Sequence, residues 1–289
     1  MKLHLAKSTA DLSESQIAAL ISLLGDEDTT VYSTVREKLV SYGTTAMGWL
    51  RPYLLSNDPV LRRRAKEIVD HFGKRDADNE FLSFCLRQGE EFDIEQGVLL
   101  LAQTQYPGIN KAAYVALLDS FASDLREQID PDGEADQVLA TINDYLFRQL
   151  GFVGNEENYY DPDNSYLNRV LDRRTGNPIS LAIVYLFVGR RLKLPMTGIG
   201  LPGHFICRYQ TSKTEVYLDA FNRGKILTKA DCIKYLVHTK HSLQEGHLAP
   251  VSARRILLRI CANLHQIYAQ IEAIEQTGRL QRYLVALAK

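Results

Sequence analysis

Asn164-Ser165-Tyr166-Leu167-Asn168-Arg169-Val170-Leu171-Asp172-Arg173-Arg174-Thr175-Gly176-Asn177-Pro178-Ile179-Ser180-Leu181 is the stretch on which the reading turns. A short helix over about 165–173 gives way at Thr175-Gly176, and Asn177-Pro178 starts another over about 179–192. Asn accepts bonds from the orphan amides at a helix start, and proline suits the first helical position, where its missing N–H costs nothing. The second helix is strongly apolar, which predicts a central place in the fold.

Strand-like runs follow at 197–201, 204–209 and 215–220, the last after a Gln-Thr-Ser-Lys-Thr turn. Helix followed by an antiparallel meander predicts an α+β fold, mainly α. Upstream, Gly151 to Ser165 mixes turn formers with Phe152, Tyr159 and Tyr160, the texture of an ordered loop lying against a domain. Further helices are expected over about 94–104, from Asn110 through Leu125, and from the Asp130-Pro131 cap through Leu150, each with an apolar stripe that reads as core.

At the N-terminal end four short helical segments at 14–24, 28–42, 44–55 and 59–72 read as two hairpins resembling HEAT-type repeats. Residues 252–288 return to helix and resemble a single TPR-type hairpin, with packing its expected job. The expected organisation is a HEAT-like region at 1–76, a core domain at 77–250 and a TPR-like hairpin at 251–289.

Among 289 residues the formal net charge is −1, which argues against nucleic acid as a partner, since phosphate binding needs an excess of clustered cations. The single basic run, Arg62-Arg63-Arg64 with Lys66, reads as a solvated helix face. No stretch reaches the roughly 20 apolar residues that span a bilayer, and the start lacks a signal-length apolar run. Cys85, Cys207, Cys232 and Cys261 lie scattered without metal-site spacing, as expected of reduced thiols, so a cytoplasmic location is expected. His238, His241 and His247 include a His-x-x-His spacing but no third ligand at metal-site spacing, so no metal or cofactor is expected.

The quoted stretch, with Leu201-Pro202-Gly203-His204-Phe205 and Tyr217-Leu218-Asp219-Ala220-Phe221, closely resembles the SirB-type family of transglutaminase-like proteins. Gly151-Phe152-Val153-Gly154-Asn155 and Tyr159-Tyr160-Asp161-Pro162 extend the likeness, which runs from about Asp93 through the tail. The resemblance implies a papain-like fold in which the central helix presents a nucleophilic Cys to a His and an Asp carried by the sheet. His204 and Asp219 match those His and Asp positions. Counting back from Leu192-Lys193-Leu194-Pro195 places the Cys position on Pro178, which carries no nucleophile.

Neighbouring positions supply no thiol. Cys207 follows His204 by three residues on a strand and should point to the opposite face. Ser180 is the one substitute nucleophile to weigh, against its reading as a first-turn residue that satisfies an amide. His204 and Asp219 either form a chemically competent pair or tie two strands together. Asn164, Asn168, Arg173 and Arg174 form a polar patch suited to a peptide carboxylate, unless Asp161 or Asp172 pairs with the arginines to fasten the loop.

Two functions follow from these alternatives. The first is a non-catalytic binding or scaffold module whose vestigial cleft and helical flanks recognise another protein or peptide. The second is a hydrolase or acyl transferase using His204 and Asp219 with water or Ser180. An open cavity at His204 favours the second, and Pro178 and Phe205 packed over His204 favour the first.

Overall fold

The structure is a computed structural model that describes residues 12–87, 93–130, 133–239 and 245–289. It divides into two units. One holds the chain up to Asp78 together with Thr104–Gly108, and the other holds Asn79–Gln103 and Ile109–Lys289.

The first unit starts with α1 (Glu14–Leu24), opened by a capping box at Ser13 in which its hydroxyl accepts from the Gln16 amide. α2 (Thr29–Ser41) starts at Asp28 and α3 (Thr44–Leu50) continues into a 3-10 turn, Arg51–Leu55. Ile21, Leu24, Leu39, Leu50, Ile68 and Phe72 bury their side chains in one core. The periodicity places the end of the fourth helix at 72, but α4 runs from Pro59 to Arg87. Gly73 is no stop here: a Cβ at that position would sit 2.8 Å from the Pro107 ring, so its role is close approach.

α5 (Ile94–Gln105), which lies in the second unit up to Gln103, and α6 (Lys111–Arg126) and α7 (Ala135–Asn143) of that unit carry the expected apolar faces. The stripe predicted as one helix to Leu150 changes after Asn143 into a π-helical turn, Asp144–Gln149. Pro131 lies outside the described residues. β1 (Val153–Gly154) then pairs in parallel with β2 (Thr175–Gly176), which closes off the segment from Asn155 to Arg174 between them. Between them α8 (Leu167–Arg173) ends on Arg174, which adopts a left-handed φ of 55°.

α9 (Pro178–Arg191) is the central helix, almost wholly buried. It packs against α6 and against a four-stranded antiparallel sheet of β3 (Met196–Leu201), β4 (His204–Gln210), β5 (Glu215–Asp219) and β6 (Lys225–Leu227), in that order. β6 is too short, at three residues, to show an alternating pattern in the sequence. α10 (Lys229–His238) follows, and its Cys232 and Leu236 pack with Ile199, Ile206 and Tyr217 of the sheet. α11 (Ala253–Gln270) and α12 (Ile274–Leu287) pack together as a hairpin. The α+β, mainly α class expected from the sequence is the class observed. No described helix is long and apolar enough to cross a membrane.

Candidate functional site

Side chains alternate along β4. Ile206 meets the cluster around α10, whereas Cys207 turns the other way and its thiol donates to the Ala182 carbonyl of α9 at 3.6 Å. His204 shares the parity of Ile206, and Asp219 shares that of Tyr217. The register pairs Cys207 with Leu218, so Asp219 stands beyond the last ladder pair and reaches diagonally back to His204. His204 Nε2 and Asp219 Oδ2 lie 2.7 Å apart.

Asp219 is held from several directions. Its Oδ1 accepts the backbone amides of Phe221 and Asn222 at 3.1 and 3.2 Å, and Oδ2 accepts Asn222 Nδ2 at 2.7 Å. Burial works to raise its pKa, but the bonds and charge of His204, with those from Asn222, outweigh burial and hold the carboxyl below its usual value. An ionised Asp219 fixes the tautomer with hydrogen on Nε2. In the neutral imidazole His204 Nδ1 is then a lone-pair acceptor with no hydrogen-bond partner among the described residues.

The His204 side chain is 14% exposed and stands between two cavities. The first, of about 370 Å³, is bounded by Tyr159, Tyr160, Pro178 and Ile179 on one side and by Arg259, Asn263 and Gln266 of α11 on the other. The second, of about 430 Å³, includes Asp219, Lys225, Asp231, Cys232 and Tyr235. Pro178 and Gly203 border both. Aromatic rings frame the imidazole: Phe221 at 6.3 Å and Tyr235 at 6.0 Å, with Tyr159 in turn 5.9 Å from Phe221. Phe205 also lines the first cavity, but His204 is not sealed under it.

The start of α9 is built differently. Asn177 Oδ1 accepts the Ser180 amide at 3.0 Å, and Ser180 Oγ accepts the Asn177 amide at 3.0 Å, a reciprocal capping box. Ser180 Oγ also lies 2.6 Å from the Asn164 carbonyl, to which its one proton can go. Ser180 is 3% exposed and lines neither cavity. Gly176 is obligatory beside it, because a Cβ there would lie 2.5 Å from Ser180 Oγ. Pro178, at the first helical position, brings to the cleft a ring with neither a nucleophile nor an N–H.

None of the four residues of the polar patch lines either cavity. Asn164 is fully buried, donating to the Asn158 and Tyr159 carbonyls at 2.8 and 3.2 Å and accepting from Asn155, which shapes the loop that carries Tyr159. Asn168 is buried in α8 with its Oδ1 unpaired. Arg173 pairs with Asp161 at 2.7 Å and Asp163 at 3.3 Å. Arg174 lies over the rings of Phe121 and Phe152, each at 4.9 Å, and burial lowers its pKa.

All four cysteines are buried. Burial pushes the Cys85 thiol up to about 12 and the Cys232 thiol up to about 11, and raises Cys207 and Cys261 as well. A thiolate is therefore disfavoured at each of them. His238 ends α10, exposed, and His241 lies outside the described residues.

The contribution of α11 is what sequence reasoning missed. Arg259 Nη2 donates to the carbonyls of Leu201 and His204, both at 2.7 Å, and Tyr235 donates to the Pro202 carbonyl at 3.0 Å. Together they grip the turn that carries His204. A helical hairpin read for its apolar stripe gives no hint that Arg259, Asn263 and Gln266 border a cleft some 55 residues away in sequence.

Residues 112–262 match the transglutaminase-like superfamily (Transglut_core2). The chain is 35% identical over 196 residues to a UPF0162 protein of Xylella fastidiosa, covering 66% of this chain and 70% of that one. It is 29% identical over 188 residues to the UPF0162 protein PA3419 of Pseudomonas aeruginosa, covering 64% and 68% of the two chains. A 156-residue stretch is 36% identical to F-box only protein 21 of Mus musculus, covering 50% of this chain and 24% of that protein. No solved structure matches.

Proposed function

Because the chain belongs to the transglutaminase-like superfamily yet places Pro178 where its central helix meets His204, we propose that it is a non-catalytic protein-binding module whose cleft receives a peptide segment. The observation that carries this reading is the start of α9. A thiol at that point would gain from the positive helix end, and its own amide could face a developing oxyanion. Proline removes both groups at once. Ser180 offers no replacement, since its oxygen is spent on Asn177 and Asn164 inside the fold.

The flanks fit the same role. Residues 1–76 would act as a HEAT-like region and 251–289 as a TPR-like hairpin around a core of the SirB type at 77–250. The shared stretch also occurs within a chain about four times its length, as expected of a module that works in company. Arg173 and Arg174, with Asn164 and Asn168, would serve by holding the loop that carries Tyr159 and Tyr160.

A second reading has its own observation. His204 faces open cavities with Nδ1 unpartnered among the described residues, the arrangement a general base needs to activate water. Affinity capture from the native cell with wild type and His204→Ala, beside an ester and peptide hydrolysis panel, separates the two. A partner retained by wild type and lost with His204→Ala supports recognition in the cleft. Turnover by wild type that disappears with His204→Ala overturns the non-catalytic reading.

A further inference from the structure

The first cavity contains a cation that the fold leaves without a counter-charge among the described residues. Two other part-buried arginines of this unit meet carboxylates: Arg191 meets Glu95 and Asp119, and Arg208 lies 3.6 Å from Glu215. Arg259 meets only the carbonyl oxygens of Leu201 and His204, through Nη2, with the Phe205 ring 5.6 Å from the guanidinium. Among the described residues its Nε and Nη1 donate to nothing, and no Asp or Glu lines the cavity. Burial of Arg259 lowers its pKa, which is the mark of a charge short of compensation.

Beside this cation stands an acceptor. In the neutral imidazole with Nε2 committed to Asp219, His204 Nδ1 presents a lone pair. A cation and an acceptor at one cavity suit a ligand that carries a carboxylate and, close by, an N–H. The last residue of a peptide chain has both. The cavity volume of about 370 Å³ falls within the range of small-ligand sites, and Tyr159 and Tyr160 supply an aromatic wall for an apolar side chain.

We propose that the first cavity recognises the C-terminal end of a peptide, Arg259 taking the carboxylate and His204 Nδ1 accepting the last amide N–H. The idea rests on the peptide-binding reading above and gives it a specificity. On sequence grounds the polar patch at Arg173 and Arg174 is the expected seat of such a carboxylate, but Arg173 is already paired with Asp161 and Asp163. Arg259, on α11, takes over that chemistry.

The test is a titration of the full chain, isotope-labelled and followed by amide shifts of Gly203, Phe205 and Asn263. Three probes are used: acetyl-Ala-Ala-Ala with a free carboxylate, the same tripeptide as its C-terminal amide, and N-acetylalanine. The free acid is expected to bind roughly tenfold tighter than the amide, and Arg259→Gln to erase that preference. Arg259→Gln also removes bonds that hold the His204 turn, so the comparison of acid with amide on wild type tests the preference independently of that variant. N-acetylalanine binding as well as the tripeptide supports the site as one for a free acyl amino acid, and a tighter tripeptide supports a peptide terminus. Equal midpoints for acid and amide overturn end recognition and leave peptide binding in the cleft standing. Absence of shifts with all three at millimolar concentration also overturns it, while the His204-dependence of partner capture judges the broader reading separately.

Discussion

At one wall of the cleft His204 and Asp219 meet on adjacent strands, and at the other Asn177, Pro178 and Ser180 open α9. Both walls are made of small polar groups in close hydrogen bonds. They differ in what is left over. Asp219 accepts four bonds but leaves His204 Nδ1 turned to the cleft, whereas Ser180 spends its oxygen inside the fold and Pro178 has no donor to give. The first wall retains a group that can act on a ligand, and the second has been closed into a helix cap. A polar residue beside a cleft therefore counts by its unspent donors and acceptors rather than by its type.

The largest loss is expected at Asp219. Removing a buried carboxylate leaves Asn222 and two backbone amides without an acceptor, so Asp219→Ala should lose about 3 kcal/mol of stability, read by urea unfolding. Asp219→Asn adds a pH signature. The carboxyl titrates lower folded than unfolded, so its contribution is fully present above about 3.9, the unfolded value, and is lost as pH falls through the folded value. The wild-type stability should therefore drop more steeply than that of Asp219→Asn as pH falls below about 4. Parallel curves would show that folding does not hold the Asp219 carboxyl below its unfolded value.

A smaller loss, about 2 kcal/mol, is expected for Ser180→Ala, which unpairs the Asn164 carbonyl and the Asn177 amide. Any hydrolysis found should survive this substitution, and its abolition would show Ser180 to be the nucleophile.

Pro178→Cys turns one wall back toward the other. A thiol at the first turn of α9, across from His204, should be alkylated by iodoacetamide on the order of tenfold faster at mildly acidic pH than a free cysteine. His204→Ala on the same background should remove most of that gain. The four native thiols are buried and raised, so they contribute little background. A slow thiol in the Pro178→Cys variant would mean that this position does not face the imidazole.

Least disturbance is expected at the rim. Tyr160 is 60% exposed, so Tyr160→Ala should shift stability by less than about 0.5 kcal/mol while weakening partner capture. Unchanged capture would remove the aromatic wall from the binding surface.

Much of the frame is legible along the chain because its signals are local. Asn177-Pro178 marks the α9 start within two adjacent residues, and alternation alone sets Cys207 opposite His204. β6 leaves no such signal, since a three-residue strand carries no period, whereas the start of α10 is marked locally by the Thr228–Asp231 capping box. The periodicity ends the helix from Pro59 at 72, but it continues to Arg87, with Gly73 inside it allowing the close approach of Pro107.

The α+β order, the capped central helix and the identity of the residue at its first turn are all written in the chain itself, since propensity, capping and periodicity act between near neighbours. Packing alone settles that Ser180 is spent, that Arg173 is paired with Asp161, and that Arg259 of α11 grips the His204 turn with donors to spare. The reason is physical. Whether a polar group is free depends on which distant atoms fill its remaining bonds, and that is fixed only when the chain has packed.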